Sequence, residues 1–207
     1  MVRRVVTEQD VPREGTLRVP RGTIFTPSAR DLARDRGVKI LEVSPDDAAP
    51  EADADRTLAF GSDHGGFEMK QRLLPVAREL GWTIRDVGVF EEKAADYPDI
   101  AHEVAQLVSA GSAAFGVIVD GAGIGSSMAA NKVPGIRAAL CYDRASARNS
   151  REHNHANVLT LGGRLLTASQ AEEVLRTWLG TPWGGGRHQK RIDKITEIER
   201  RYSAWKK

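Results

Sequence analysis

Short apolar runs alternate with longer amphipathic stretches through most of the chain. After residue 56, apolar runs bounded by turn residues predict five buried strands, at 57–63, 82–88, 114–120, 136–142 and 156–162. The intervening stretches predict five helices, at 67–80, 100–110, 126–131, 144–153 and 168–179. Strands that alternate with helices favour a parallel sheet, because each helix carries the chain back across one face. The pattern therefore predicts an α/β fold with a five-stranded parallel sheet.

The first 43 residues have a thinner apolar pattern and predict a small N-terminal annex. Its predicted elements are short strands at 3–7, 16–20 and 38–43 and a helix that opens at Thr26 and Pro27 and ends at Gly37. Residues 44–56 combine proline, small residues and acids without hydrophobic periodicity, which is typical of a linker. The expected organisation is an annex at 1–43, a linker at 44–56 and a main domain at 57–207.

The last segment of the main domain carries a helical apolar stripe flanked by charged residues. Its members recur at spacings of three and four: Ile192, Ile195, Ile198, Tyr202 and Trp205. We expect this stripe to pack on the core or on a second subunit.

Composition narrows the class of protein. The 207 residues include 30 Lys plus Arg and 28 Asp plus Glu, so the net charge of +2 gives no broad attraction for nucleic acid or anionic lipid. No stretch approaches the ~18 apolar residues of a membrane span, and the charged start lacks a signal segment, which favours a cytoplasmic location. The single cysteine, Cys141, lies in an apolar run and predicts a small buried hydrophobe.

Candidate chemistry concentrates where a predicted strand runs into a short helix through glycines, at 117–132. Gly121, Gly123 and Gly125 allow backbone N–H groups to converge, and the following helix start adds partial positive charge, which suits an oxyanion or a phosphate. The alternative is a tight strand-to-helix turn whose glycines serve packing alone. A nicotinamide site is a weak interpretation because the third glycine of the dinucleotide fingerprint is missing.

Three further groups of polar residues join this loop as candidates. Asp63 and His64 follow the first core strand, and His153 and Asn154 stand where a helix gives way to a strand, so we expect both pairs on the same ligand-binding rim. Arg187, His188 and Arg191 follow a glycine run and suit a phosphate dianion. The alternatives are structural histidines at a helix end and a solvated basic helix end. We expect no metal, because His153 and His155 form too short a pattern.

Five separated motifs carry a family resemblance. In chain order they are FGSDHGGFEMK, DYPDIA, GIGSSMAANKVPGIRAAL, SREHNHANVLTLGGR and GGGRHQKR, spanning residues 57 to about 202. Together they resemble ribose-5-phosphate isomerase B and its galactose-6-phosphate isomerase relatives. The resemblance implies a Rossmann-like three-layer sandwich that acts without a cofactor. It also implies a homodimer, or a dimer of dimers, whose site combines the glycine loop of one subunit with residues of its neighbour.

The implied reaction interconverts an aldose phosphate and a ketose phosphate through an enediolate. By motif position, His153 with Asn154 would assist ring opening, Asp63 would contact sugar hydroxyls, and the amides from Gly121 to Ser126 would stabilise the enediolate. The phosphate would be held by His64, Arg164, Arg187 and Arg191, with His188 a weaker candidate.

The glycine loop differs from the loops of two branches of the family that it resembles. One branch has a catalytic cysteine where this chain has Asp120 and a threonine where it has Ala122, and the other has a glutamate at the position of Ser126. We therefore expect Asp120 to be the general base, the alternative being that it caps the glycine turn. A protein of a different class, which binds sugar phosphate or acts as a scaffold without catalysis, also fits.

The annex has a resemblance of its own. Residues 20–40, PRGTIFTPSARDLARDRGVKI, are similar to short segments attached to enzymes of bacterial microcompartments. This resemblance implies a shell or cargo protein as partner and a location inside such a compartment. The alternative is an extension without a function of its own, and either way we expect the main domain to hold the chemistry.

Overall fold

The computed structural model describes residues 5–8, 11, 16–20, 23–43, 56–91 and 93–203. The chain divides into two compact units, residues 1–51 and 52–207. Most of the predicted linker, residues 44–55, and Trp205 of the predicted apolar stripe lie outside the described residues. Each unit is built on parallel strands.

The first unit pairs its strands two by two around one helix. Its elements are β1 (Val5–Val6), β2 (Thr16–Pro20), β3 (Ile24–Phe25), α1 (Pro27–Asp35) and β4 (Lys39–Val43). β1 pairs with β3 and β2 with β4, both in parallel. The predicted helix start is confirmed, because the Thr26 side chain accepts from Ala29 N and proline occupies the first turn. The pattern missed β3, which is only two residues long.

The second unit alternates strands and helices along the chain. Its elements are β5 (Thr57–Ser62), α2 (Phe67–Glu79), β6 (Thr83–Asp86), α3 (Tyr97–Ser109), β7 (Phe115–Asp120), α4 (Ile124–Ala130), β8 (Ala138–Leu140), α5 (Arg144–Glu152), β9 (Val158–Gly162), α6 (Ala168–Gly180), a 3-10 turn (Gly186–His188) and α7 (Gln189–Ser203). The strands form one five-stranded parallel sheet in the order β6-β5-β7-β9-β8. The predicted α/β fold with a five-stranded parallel sheet is confirmed.

Helices cover both faces of this sheet and make three layers. Successive strand residues face opposite sides, so Phe60 joins one buried cluster and Ala59 the other. The first cluster takes its helical members from α2, α5 and α6, and the second from α3 and α4. Strands buried on both faces are continuously apolar, as Val117, Ile118 and Val119 are in β7.

The final helix, α7, is only partly packed. Ile192 is buried at 5% exposure, whereas Ile195, Ile198 and Tyr202 are 46%, 56% and 63% exposed. The apolar stripe that the sequence predicts is therefore present, with most of its described length facing outward. Within the described residues, no helix combines the length and apolar character needed to cross a membrane.

Candidate active site

The carboxyl edge of the sheet gathers polar residues from three neighbouring strands. Asp63 follows β5, Asp120 ends β7, and Arg164 follows β9 by two residues. The turn after β9 is tied to the end of β7, since Gly163 N donates to Asp120 O at 2.7 Å and Arg164 N to Gly121 O at 3.1 Å. Ligands bind at this edge in open parallel sheets, so these residues lie where a ligand site is expected.

Two glycines of the loop between β7 and α4 have a steric reason to be glycine. Gly123 has φ +77°, and a Cβ there would lie 2.5 Å from Leu140 Cδ1 and 2.8 Å from the backbone carbon of Leu161. A Cβ on Gly125 would lie 2.5 Å from the ring of Tyr97. The loop is therefore wedged between β9 on one side and the first residue of α3 on the other.

Asp120 binds the glycine loop with both carboxylate oxygens. Oδ1 accepts from Ala122 N at 2.8 Å and from Gly123 N, and Oδ2 accepts from Ser126 N at 3.0 Å and from Ser126 Oγ. The residue is 4% exposed. This is the capping arrangement that the sequence left as the alternative for Asp120. It also directs the N–H groups of Ala122, Gly123 and Ser126 to Asp120.

Asp63 is the second buried carboxylate at this edge and is less fully bound. It is 7% exposed, and its side chain accepts from Gly66 N through Oδ1 at 2.9 Å, with a weaker backbone interaction from Gly65. Burial raises the pKa of the Asp63 carboxyl, the bond from Gly66 opposes the rise, and the negative charge of Asp120 adds to it. His64 is exposed beside it, with Ala95 N 3.5 Å from Nδ1.

A buried ion pair that the sequence did not reveal supports the same edge. Lys70 in α2 is fully buried, and its Nζ donates to Asp86 Oδ1 at 2.8 Å and to Val89 O at 2.7 Å. Asp86 Oδ1 also accepts from Gly88 N at 3.1 Å. The pair fixes the loop after β6 against the start of α2, next to Asp63 and His64. A lysine in an amphipathic stretch is normally exposed to solvent, so no sequence signal could have revealed the buried ion pair.

Tyr97 is another residue of the edge that the sequence analysis did not single out. Its ring, 40% exposed, lies against Gly125 of the loop. The sequence did contain a signal for Tyr97, because this residue belongs to the DYPDIA motif and lies beside a proline in the first turn of α3.

The remaining candidates form a second cluster around two stacked histidines. The rings of His153 and His188 stack with centroids 4.3 Å apart and planes at 10°. The guanidinium groups of Arg187 and Arg191 approach the two ring nitrogens of His188, each at 3.4 Å. Asn149 Nδ2 lies 2.9 Å from Nδ1 of His153. Desolvation and the neighbouring His153, Arg187 and Arg191 lower the pKa of His188.

Aromatic stacking and a backbone bond hold the segment that carries these arginines. His155 stacks on Trp183 with centroids 4.8 Å apart, and Gly184 N donates to Glu152 O at 3.0 Å. Asn154, exposed next to His153, donates from Nδ2 to Asn149 Oδ1 at 3.1 Å. The end of α5 and the segment 183–188 therefore form one local structure.

The two clusters lie at opposite edges of the sheet. His153 and Asn154 precede β9, and Gly116 N at the start of β7 donates to Asn157 O, which puts this turn at the amino edge. Asp63 and Asp120 lie at the carboxyl edge, and a five-residue strand such as β9 spans roughly 16 Å. The prediction that His153 and Asn154 share a rim with Asp63 is wrong for a single chain, because α5 runs antiparallel to the strands.

The thiol of Cys141 takes no part in either cluster. Cys141 is 1% exposed, its Sγ lies 3.6 Å from Ser150 Oγ, and burial raises the pKa of the thiol to about 11. The prediction of a buried cysteine that packs as a small hydrophobe is confirmed. Among the residues that the structure describes, no group of three or more His, Cys, Asp or Glu side chains could hold a metal ion.

Comparison with known proteins gives one consistent family. The sequence profile described as Ribose/Galactose Isomerase matches residues 58–195. Ribose-5-phosphate isomerase B of Escherichia coli is 41% identical over 146 residues, which are 70% of this chain and 98% of that protein. A putative sugar phosphate isomerase of Bacillus subtilis is 42% identical over 143 residues, which are 69% of this chain and 96% of that protein.

Solved structures give the same result. Ribose-5-phosphate isomerase B of Clostridium thermocellum is 43% identical with a TM-score of 0.69, covering 70% of this chain and 99% of that one. The type B ribose 5-phosphate isomerase of Trypanosoma cruzi is 42% identical with a TM-score of 0.69, covering 71% of this chain and 98% of that one. The family profile begins at residue 58, so the annex lies outside the match.

Proposed function

The chain belongs to the ribose/galactose isomerase family, and from this premise we propose that it interconverts an aldose phosphate and a ketose phosphate. The observation that carries the proposal is the 41% identity to a ribose-5-phosphate isomerase B over 98% of that protein's length. The matched range contains the glycine loop, both buried carboxylates of the carboxyl edge and the stacked histidines. The substrate class is a phosphorylated sugar of four to six carbons, and ribose 5-phosphate is the first member to test.

The reaction needs a base, donors for the enediolate oxygen, a ring opener and a phosphate clamp. We assign ring opening to His153 with Asn154, and contact with the sugar to Asp63. The phosphate contacts are assigned to His64, Arg164, Arg187 and Arg191, with His188 beside them. Support comes from the guanidinium groups that converge on His188 and from the turn that ties Arg164 to the glycine loop.

A complete site on this assignment takes its parts from two copies of the chain. The carboxyl edge supplies Asp63 and the loop, and the amino edge of a second copy supplies His153 and the arginines of 187–191. Exposed apolar side chains on α4 and α7 support such pairing, with Ile124 48% and Met128 63% exposed. A groove of about 780 Å³ between α7 and the region around β8 also offers surface for it. We propose a homodimer or a dimer of dimers.

Asp120 occupies the position from which one branch of the family draws its base. Its four loop donors support the capping role, which leaves it little capacity to accept a further proton. Asp120→Asn tests the assignment, because the amide keeps the size of the side chain and loses its basicity. A base at this position requires a fall in turnover of roughly 10² to 10⁴ with binding kept.

A second candidate is a protein that binds sugar phosphate without converting it. The observation that favours it is the same sequestered Asp120, because neither familiar base of the family is present. One experiment separates the two: purified protein is incubated with four- to six-carbon aldose phosphates, and ketose formation and binding are measured. Ketose formation establishes the isomerase, and saturable binding without ketose establishes the binding protein.

A further inference from the structure

Two carboxylates at the carboxyl edge differ in how much of their hydrogen-bonding capacity is free. Asp120 accepts four hydrogen bonds from its own loop, through both oxygens. Asp63, just after the neighbouring strand β5, interacts with fewer donors, namely Gly66 N at 2.9 Å from Oδ1 and, more weakly, the backbone of Gly65. A proton acceptor needs a lone pair that no internal donor holds, so Asp63 is better placed to exchange a proton with a bound molecule.

The backbone of a glycine borders the Asp63 carboxylate. A Cβ on Gly65 would lie 3.3 Å from Asp63 Oδ1 and 3.2 Å from Gly121 N. The Asp63 carboxylate thus lies close to the first residue of the glycine loop. Asp120 binds the amides of Ala122, Gly123 and Ser126 but not that of Gly121, so the Asp63 carboxylate and the Gly121 N–H flank one point.

We propose that Asp63, rather than Asp120, is the general base that moves the proton between the two carbons of the substrate. This inference rests on the proposed isomerase function. It extends the role of Asp63 from contact with the sugar to proton transfer, and it assigns Asp120 to holding the loop in shape.

The proton transfer balances without a further reactant. Asp63 takes the proton from C2 of the open-chain aldose phosphate, the C–H electron pair becomes the C1=C2 bond, and O1 gains the negative charge. The proton on O2 moves to O1, so that the charge passes to O2. Protonated Asp63 then returns its proton to C1 as O2 becomes the carbonyl oxygen of the ketose.

The electrostatic surroundings of Asp63 support this role. Burial and the charge of Asp120, which faces it from β7, raise the pKa of Asp63, while the adjacent His64 lowers it. A carboxylate with a raised pKa is a stronger base once it is ionised. The activity should therefore fall as the pH drops through the raised pKa of Asp63.

The test compares Asp63→Asn, Asp63→Glu and Asp120→Asn with a matched exposed control, Glu103→Gln in the middle of α3. The readouts are kcat and KM on the substrate that wild type converts, deuterium uptake from heavy water into C1 of the ketose, and the pH profile. Circular dichroism verifies that each variant is folded.

We expect Asp63→Asn to lose roughly 10² to 10⁴ in kcat with little change in KM, and to lose deuterium uptake in parallel. Asp63→Glu should restore part of the rate together with the acid limb of the pH profile. Asp120→Asn should keep more activity than Asp63→Asn and be less stable to heat.

Wild-type deuterium uptake in folded Asp63→Asn, or a larger loss of turnover in folded Asp120→Asn, overturns the assignment to Asp63 and leaves the isomerase function standing. Absence of ketose from wild type with every aldose phosphate overturns the proposed function and the assignment with it.

Discussion

Lys70 Nζ lies 2.8 Å from Asp86 Oδ1 and 3.0 Å from Oδ2, and none of the Lys70 side chain is exposed. The pair joins the first turns of α2 to the end of the edge strand β6. The rings of Phe67 and Phe90 face the same ammonium group, with centroids 5.8 Å and 5.1 Å away. Because the ammonium group of Lys70 is shielded from water, its burial depends on the counter-charge of Asp86.

Asp86→Asn should therefore destabilise the second unit by about 3 kcal/mol, because it leaves a buried ammonium without its counter-charge. Glu197→Gln is the matched control, since it removes a carboxylate from the exposed pair with Arg201 and should cost less than about 0.5 kcal/mol. Urea unfolding at a fixed protein concentration measures both. Equal midpoints for the two variants would contradict the prediction.

Gly123→Ala should destabilise the protein by more than about 2 kcal/mol, because it combines a left-handed backbone with a steric clash. The added Cβ would lie 2.8 Å from the backbone carbon of Leu161, which cannot move aside as a flexible side chain can. Gly111→Ala provides the comparison, since Gly111 has φ +70° and no atom within 4 Å of its added Cβ, and it should cost only about 1 kcal/mol. Thermal unfolding of both variants tests whether steric contact, in addition to the positive φ angle, requires glycine at position 123.

Mixing two inactive variants should restore activity if the proposed site spans two copies. In a mixed dimer of Asp63→Asn and His153→Ala chains, one site carries both changes and the other carries neither, so the purified mixed dimer should have about half the wild-type activity. Two differently tagged copies, co-expressed and purified through both tags, provide the sample. No recovery of activity in that sample would mean that each site belongs to a single chain.

Deleting residues 1–55 should leave the isomerase chemistry intact, with kcat/KM within about twofold of the full chain, because the annex is a separate compact unit. The family match begins only at residue 58. Ala33→Asp, which places a charge in the annex core, controls for the change in chain length. We expect both changes to alter location or partner binding, measured by co-purification. Loss of activity in a folded deletion variant would show that the annex contributes to the active site.

The order of strands and helices was predictable because each element has a strong local pattern. β5, β7 and β9 are mostly apolar and end at or next to glycine or aspartate, so their ends were predicted to within two residues. β8 was predicted as seven residues and has three, because the apolar run continues beyond the part that pairs with β9.

The site was harder to predict, because its geometry depends on the direction in which each helix runs and on contacts between residues that are far apart in the sequence. The sequence predicted His153 and Asp63 as candidates but could not show that a helix running against the strands carries His153 to the far edge. It also left two roles for Asp120, and the choice between them depends on where Ser126 points after the turn. The partner of Lys70 is 16 residues away, in a different element, and no local pattern connects them.

If the proposed site is shared between two copies, the separation of the two candidate clusters makes activity depend on the concentration of the protein. A site shared between copies exists only in the fraction of protein that is assembled, so dilution below the dissociation constant of the dimer reduces the number of sites as well as their concentration. Specific activity then rises with enzyme concentration until assembly is complete. Substrate that bridges the two edges has the opposite effect, because its binding energy adds to the free energy that holds the copies together.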